Sequence, residues 1–177
     1  MLYYKKIASP LGEITLRSDG TSLTGLWFKG DKYYSDKDIA GAILSDLPVF
    51  TQAEQWLDKY FAGENPLIDV PLKLVGSAFQ MQVWQLLQKI PYGSLTTYGD
   101  IAKDIAAQRG LARMSAQAVG GAVGHNPLCI IVPCHRVIGA NGSLTGYGGG
   151  MPRKTALLQL EGVDMTKLTI PAKGTAL

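Results

Sequence analysis

The stretch "TTYGDIAKDIAAQRGLARMSAQAVGGAVGHNP", residues 96–127, decides the architecture of the second half of the chain. It opens on a threonine suited to cap a helix, and Ile101, Ala102 and Ile105 follow at helical spacing. "RGLARM" then reads as a basic loop. A second helix starts at Ser115 and stops at Asn126-Pro127. Two short helices joined by a loop outline a helix-turn-helix. The second helix consists almost entirely of small residues: Ala116, Gln117, Ala118, Val119, Gly120, Gly121, Ala122, Val123 and Gly124. Each glycine inside a helix costs about 1 kcal/mol relative to alanine, so so many of them need a reason. One reason is close packing against another helix. The other is that a thin helix fits a narrow groove, such as the roughly 6 Å minor groove of B-DNA, where it reads shape more than sequence.

Upstream, "SAFQMQVWQLLQKI" (77–90) places Phe79, Val83, Trp84, Leu86, Leu87 and Ile90 on an apolar helical face that ends at Pro91-Tyr92-Gly93. "FTQAEQWLDKYFAGE" (50–64) is helical in period, with Thr51 as its expected N-cap and Gly63 past its end. Residues 3–28 alternate as strands around a turn at Asp19-Gly20. The Pro-rich "NPLIDVPLKLVG" reads as an extended linker. These patterns predict an α+β chain in two domains: residues 1–74, small and α/β, and residues 75–177, mostly helical.

Composition narrows the class of protein. The 177 residues are 46% hydrophobic and 18% charged, which is globular rather than disordered. No apolar run approaches the roughly 20 residues of a membrane span, and the N-terminus does not resemble a signal peptide. Two cysteines without a secretion signal suggest a reducing cytoplasm. Net charge is +3, unevenly spread: eight Lys and Arg against ten Asp and Glu up to Val75, then nine against four from Gly76 onward. A basic second half can attract phosphate.

The chemistry points to "NPLCIIVPCHRVIG", residues 126–139. The apolar run Cys129–Val132 reads as a short buried strand that Pro133 terminates, and Cys134, His135 and Arg136 follow at once. A thiolate is the nucleophilic form of cysteine, and neighbouring cations or a paired histidine favour it. Cys129, inside the apolar run, reads as a small buried hydrophobe. A Cys/His pair alone fits a protease, another hydrolase, a partial metal site or chance. Metal is the weakest of these, because His125, Cys129, Cys134 and His135 lack ligand-pair spacing.

"IVPCHRVIGANGSLTGYGGG", preceded by "AVGGAVGHNP" and followed by "KTALLQLEG", resembles the O6-alkylguanine-DNA alkyltransferases, or methylated-DNA–protein-cysteine methyltransferases. The likeness runs from about Phe79 to Gly162, and the first half resembles the family's small ribonuclease H-like domain in pattern. The resemblance implies a winged-helix-like second domain that binds double-stranded DNA in the minor groove. It implies that O6-alkylguanine, or more weakly O4-alkylthymine, swings out to Cys134, which takes the alkyl group irreversibly and acts once. His135 would be the base, through a water, and Glu161 its orienting carboxylate. Tyr98 would supply a proton to N3 of the base. The carbonyls of Cys134 and Val137 would accept from its exocyclic amine, and the Gly148 N–H would donate to O6. Tyr147 would pack along the base, Asn126 would tie the helix-turn-helix to the active-site strand, and Lys154 would stabilise charge. The DNA-facing set would be Ala116, Gln117, Ala118, Gly120, Gly121 and Arg136. No cofactor and no metal are implied, and the protein would act as a monomer, away from membranes.

The chain departs from the family pattern in three places. Gln117 stands where many members carry an arginine that fills the space left by the flipped nucleotide. The loop "AAQRGLARMS" is longer than usual, and its Arg109 and Arg113, with Lys103, are candidate phosphate contacts. Residues 1–75 contain no Cys or His, so the zinc site of some members is not expected. Three competing readings remain: a lesion-binding relative that transfers nothing, a purely DNA-binding module, and a cysteine hydrolase with turnover.

Overall fold

The computed structural model describes residues 1–171. By its internal contacts the chain divides into two units: Met1–Val75 with Pro127–Ile131, and Gly76–Asn126 with Val132 onward. The α+β architecture expected from the sequence is present, sheet-rich in the first unit and helical in the second.

In the first unit, β1 (Tyr3–Ile7), β2 (Ile14–Ser18) and β3 (Leu23–Phe28) form an antiparallel meander, and β4 (Ile43–Leu44) pairs parallel to β1, giving the order β3-β2-β1-β4. The turn between β2 and β3 forms because the Asp19 side chain accepts from the backbone N–H groups of Thr21 and Ser22. All six residues of β3 are buried, which an edge strand of this sheet achieves only with cover on both faces. One edge is supplied by the extended 71–73 segment, where Leu23 N–H donates to the Pro71 carbonyl and Lys73 N–H to the Leu23 carbonyl. The helix α1 (Pro48–Phe61) buries Val49, Phe50, Ala53, Trp56, Leu57 and Tyr60. It begins three residues before Thr51. The expected cap is displaced because Pro48, with its φ fixed and no N–H to leave unbonded, opens the helix after Leu47.

The apolar run 129–132 is not a strand. Leu128 forms one bridge to Leu26, and Cys129 N–H donates to the Leu26 carbonyl. Ile130 then turns the chain with φ +70°. A β-branched residue in that region is strained. The run is apolar because 128–135 are buried throughout, not because they pair.

In the second unit, α2 (Ala78–Leu87) is capped by Ser77 with a reciprocal bond from Gln80. Its Trp84 indole N–H donates to the Ala122 carbonyl at 2.8 Å, buried, and so ties α2 to α4 (Ala116–Gly124). The strand pair β5 (Thr96–Thr97) and β6 (Val137–Ile138) runs parallel. Thr97 caps α3 (Tyr98–Arg109), which ends on Gly110 in the left-handed conformation. Five residues later Ser115 caps α4. Helices α3 and α4 are the expected helix-turn-helix. Last is α5 (Met151–Leu160), capped at its C-terminus by Glu161. Ile138, Leu144 and Leu158 form an apolar cluster beside it.

Candidate active site

The chain leaves Pro133 in a single 3-10 turn, Cys134–Arg136, whose ends are set by backbone bonds from Cys134 N–H to the Val132 carbonyl and from Val137 N–H to the Cys134 carbonyl. The turn places consecutive side chains in different directions. Cys134 is 5% exposed and His135 fully buried. Asn126, at the end of α4, donates from Nδ2 to the Val132 carbonyl at 2.8 Å, which links the helix-turn-helix to this turn as expected.

His135 Nε2 lies 2.6 Å from Glu161 Oε2. Burial pulls the imidazole below its usual range. Arg136 and Lys154 push it the same way, and the contact with Glu161 opposes them. Because Nε2 faces a carboxylate it carries the hydrogen, and Nδ1 is the nitrogen left for chemistry. Glu161 is also held by Arg136, with Nε at 2.7 Å from Oε1 and Nη2 at 3.1 Å from Oε2, and by the Gly93 N–H at 3.0 Å.

Lys154 sits on α5 with no exposed surface. Its ammonium donates to the Val137 and Thr145 carbonyls and lies 5.9 Å from the Tyr98 ring centre. Burial lowers its pKa to about 8, against an attraction to Cys134 that raises it. That attraction is mutual, so the ammonium favours the Cys134 thiolate. Tyr98, the first residue of α3, is buried and donates to the Thr145 carbonyl at 2.9 Å, with the Gly146 carbonyl at 3.2 Å. Burial, and then the charge of Cys134, push its phenol above the usual range, so it remains a neutral donor.

Tyr98 and Lys154 thus meet at the Thr145–Gly146 backbone, Lys154 also holds Val137 and faces Cys134 and His135, and His135 is joined to Glu161; in the loop 143–150, Tyr147 and Gly148 are half-buried. Two roles change. The Val137 carbonyl, expected to receive a base's amine, already accepts from Lys154, which leaves its second lone pair. Arg136, expected on DNA, is committed to Glu161 and to the Ile90 carbonyl at 2.7 Å, with its guanidinium over Tyr92. A buried carboxylate needs a fixed cation, and Arg136 supplies it. The sequence reading missed Gly93, Ile90, Tyr92 and Thr145, which act largely through backbone atoms. The Pro91-Tyr92-Gly93 turn was visible, but not what its N–H would meet.

On α4, Val119, Gly120, Ala122 and Val123 face inward. Gly120 therefore belongs to the packed side rather than the DNA-facing side, since it follows Val119 and precedes Val123 on the same stripe. Gln117 and Ala118 are exposed, Ala116 and Gly121 half-buried. A Cβ built on Gly121 would meet no atom within 4 Å, so internal packing does not explain that glycine. Arg109, expected on phosphate, donates to Gln82 at 2.7 Å and lies over Phe79; it braces α3 against α2.

A buried cysteine beside a His–Glu pair, in a unit that also carries a helix-turn-helix, defines a nucleophilic DNA-binding protein. Two family models cover nearly the whole described chain: the 6-O-methylguanine DNA methyltransferase ribonuclease-like domain over residues 2–74, and the DNA-binding domain of the same family over 78–163. The chain belongs to this 6-O-methylguanine DNA methyltransferase family. It is 48% identical over 161 residues to the methylated-DNA–protein-cysteine methyltransferase of Mycobacterium bovis, covering 91% of this chain and 93% of that one. It is 37% identical over 166 residues to the constitutive enzyme of Bacillus subtilis, covering 93% and 98%. The crystal structure of Mycobacterium tuberculosis OGT in complex with DNA superposes with a TM-score of 0.78 at 48% identity, over 90% of this chain and 92% of that one.

Proposed function

We propose that this protein repairs DNA by flipping O6-alkylguanine, and more weakly O4-alkylthymine, out of a duplex and transferring the alkyl group irreversibly to Cys134. It is a methylated-DNA–protein-cysteine methyltransferase that acts once. The observation that carries this reading is Cys134 attracted to the buried Lys154 ammonium and next in the turn to the buried His135–Glu161 pair. The Cys134 proton passes to His135 Nδ1 through a water, and Glu161 stabilises the imidazolium formed. The thiolate attacks the alkyl carbon in line. A C–S bond forms as the C–O6 bond breaks, and the electron pair stays with guanine. Tyr98 gives its proton to N3, so guanine leaves neutral and the thiol's proton, passed along the site, makes good the tyrosine's loss. The thioether has no route back, hence the single turnover.

Residues 75–177 carry both DNA binding and transfer. The outward face of α4, with Gln117, Ala118 and Gly121, enters the minor groove, and Ala116 lies at its start. Gln117 occupies the space the base leaves; Tyr147 packs on the flipped base and Gly148 N–H donates to O6. The protein works as a cytoplasmic monomer on double-stranded DNA and needs no cofactor; among the described residues no helix is long and apolar enough to cross a membrane. A lesion binder that transfers nothing has no use for Cys134, and a hydrolase would release its product.

Intact-protein mass after mixing with duplex DNA containing O6-methylguanine tests the reading. One methylene's mass is expected at one equivalent, mapped to Cys134 and not to Cys129. Cys134→Ala is expected to bind the lesion and gain no mass. Repeated turnover, or an adduct elsewhere, overturns the proposal.

A further inference from the structure

Glu161 is saturated with donors. Oε2 receives His135 Nε2 and Arg136 Nη2; Oε1 receives Arg136 Nε and the Gly93 N–H. Arg136 is itself locked by the Ile90 carbonyl and the Tyr92 ring, with only 11% of its side chain exposed. This is a fork-on-carboxylate geometry, which a lysine does not reproduce. We propose that Arg136 is a positioning residue for the transfer reaction: it holds Glu161 as a carboxylate and thereby keeps His135 neutral, with hydrogen on Nε2 and Nδ1 ready to take the Cys134 proton. The proposal rests on the functional reading above and deepens it.

Charge balance in the buried cluster decides where this proton sits. An imidazole 2.6 Å from a carboxylate tends to take up a proton and form an ion pair. A protonated His135 accepts nothing from Cys134. Burial opposes that proton first, and a cation that already balances the carboxylate opposes it further. Arg136 is that cation and meets both oxygens. The other groups facing His135 act as follows: Lys154, from α5, opposes protonation; Glu161 favours it; Cys134, when ionised, is the product of the proton transfer. Tyr92 faces Arg136 and Glu161 and stays neutral, its phenol pushed up first by burial. Without Arg136, the carboxylate keeps His135 and Gly93 as donors, and the missing charge is made up by a proton on the pair. The base is then occupied before the thiol gives up its own proton. When Cys134 does give its proton to Nδ1, the imidazolium stands beside a carboxylate already ionised, so no further rearrangement is needed.

The chain's two histidines make this directly measurable. His125 is exposed and serves as the internal reference. Imidazole nitrogen NMR on the whole labelled protein, free of DNA, is expected to show His135 neutral with hydrogen on Nε2 from about pH 6 to 8. In Arg136→Gln, His135 is expected to titrate at least about one pH unit higher than in the parent, and in Arg136→Lys by an intermediate amount. The acid limb of the transfer rate is expected to move up by the same amount, a loss approaching tenfold on the parent's acid limb and little change well onto its plateau, with duplex affinity within about twofold. If Arg136→Gln does not fold, Arg136→Lys decides. A His135 titration unchanged in the folded variant, or a rate lowered equally at every pH, overturns the proposal. The titration needs no substrate. A parent protein that transfers no alkyl group therefore defeats the functional reading and leaves this test standing.

Discussion

Replacing Lys154 with methionine removes a fully buried charge while nearly keeping its shape. In the unfolded chain the ammonium holds its proton up to about pH 10.5, and in the folded protein only up to about 8. Between these values the unfolded state binds more protons, so stability rises with pH across that window, and below about pH 8 the whole deficit is present. The difference of two and a half units corresponds to about 3 kcal/mol. Methionine has no such rise. It does leave the Val137 and Thr145 carbonyls without their donor, at about 1–3 kcal/mol each, independent of pH. Near neutral pH the lost bonds and the relieved desolvation largely offset each other. Near pH 10.5 the variant loses the bonds without that compensation. The gap in unfolding free energy between parent and Lys154→Met is therefore expected to widen by about 3 kcal/mol from pH 7.5 to 10.5. Urea unfolding followed by helical circular dichroism at fixed pH measures it. In a Cys134→Ala background the parent's rise is expected to begin at lower pH, because the thiolate no longer supports the ammonium. A gap that changes by less than about 1 kcal/mol refutes the reasoning.

Trp84→Phe removes the buried donor to the Ala122 carbonyl; a loss of about 1–3 kcal/mol is expected as a lower urea midpoint with unchanged slope. Gln117→Arg adds a cation to the outward face of α4 and is expected to raise duplex affinity and steepen its log-salt slope by about one; equal affinity and slope in a titration argue against Gln117 on the DNA. Gly146→Ala forces a Cβ at φ +82° to within 2.5 Å of the Tyr98 hydroxyl. The strain alone is about 1–2 kcal/mol, and Tyr98 must also leave the Thr145 carbonyl, so both stability and transfer rate are expected to fall; a variant as stable and as fast as the parent contradicts the assigned packing.

What the sequence disclosed follows from which signals are local. Ser115 and a threonine at 96–97 were legible as caps because capping needs only a side-chain oxygen and the next turn's N–H groups; the structure puts the second cap on Thr97. The inward stripe of α3 was legible from spacing. The run Cys129–Val132 was misread because burial on every side produces the same apolar letters as a strand, and only the positive φ of Ile130 separates the two. Thr51 was misread because Pro48 opens α1 without any side-chain cap. Arg136 is placed on DNA only by the family resemblance. Its actual partners lie 25 and 46 residues away, and no periodicity encodes such pairings. Gly120 and Gly121 look alike in the sequence, yet one is packed and the other faces open space.

Burial does not distinguish the two cysteines, at 5% exposure for Cys134 and 3% for Cys129. The sign of the surrounding charge does. The cluster that includes Cys134 holds the buried Lys154 ammonium, the buried His135–Glu161 pair and, bonded to Glu161, the partly buried Arg136, so it carries one positive charge in excess while the sulfur is protonated and the imidazole neutral. Passing the sulfur's proton to His135 keeps that total and sets the thiolate against the Lys154 ammonium, which in a low-dielectric interior favours it. Cys129 instead directs its thiol at the Asp31 carboxylate, 3.7 Å away and itself buried. A thiolate there would stand against a like charge, so Cys129 keeps its proton and remains packing. The same element at the same depth thus faces an excess of positive charge in one place and a carboxylate in the other.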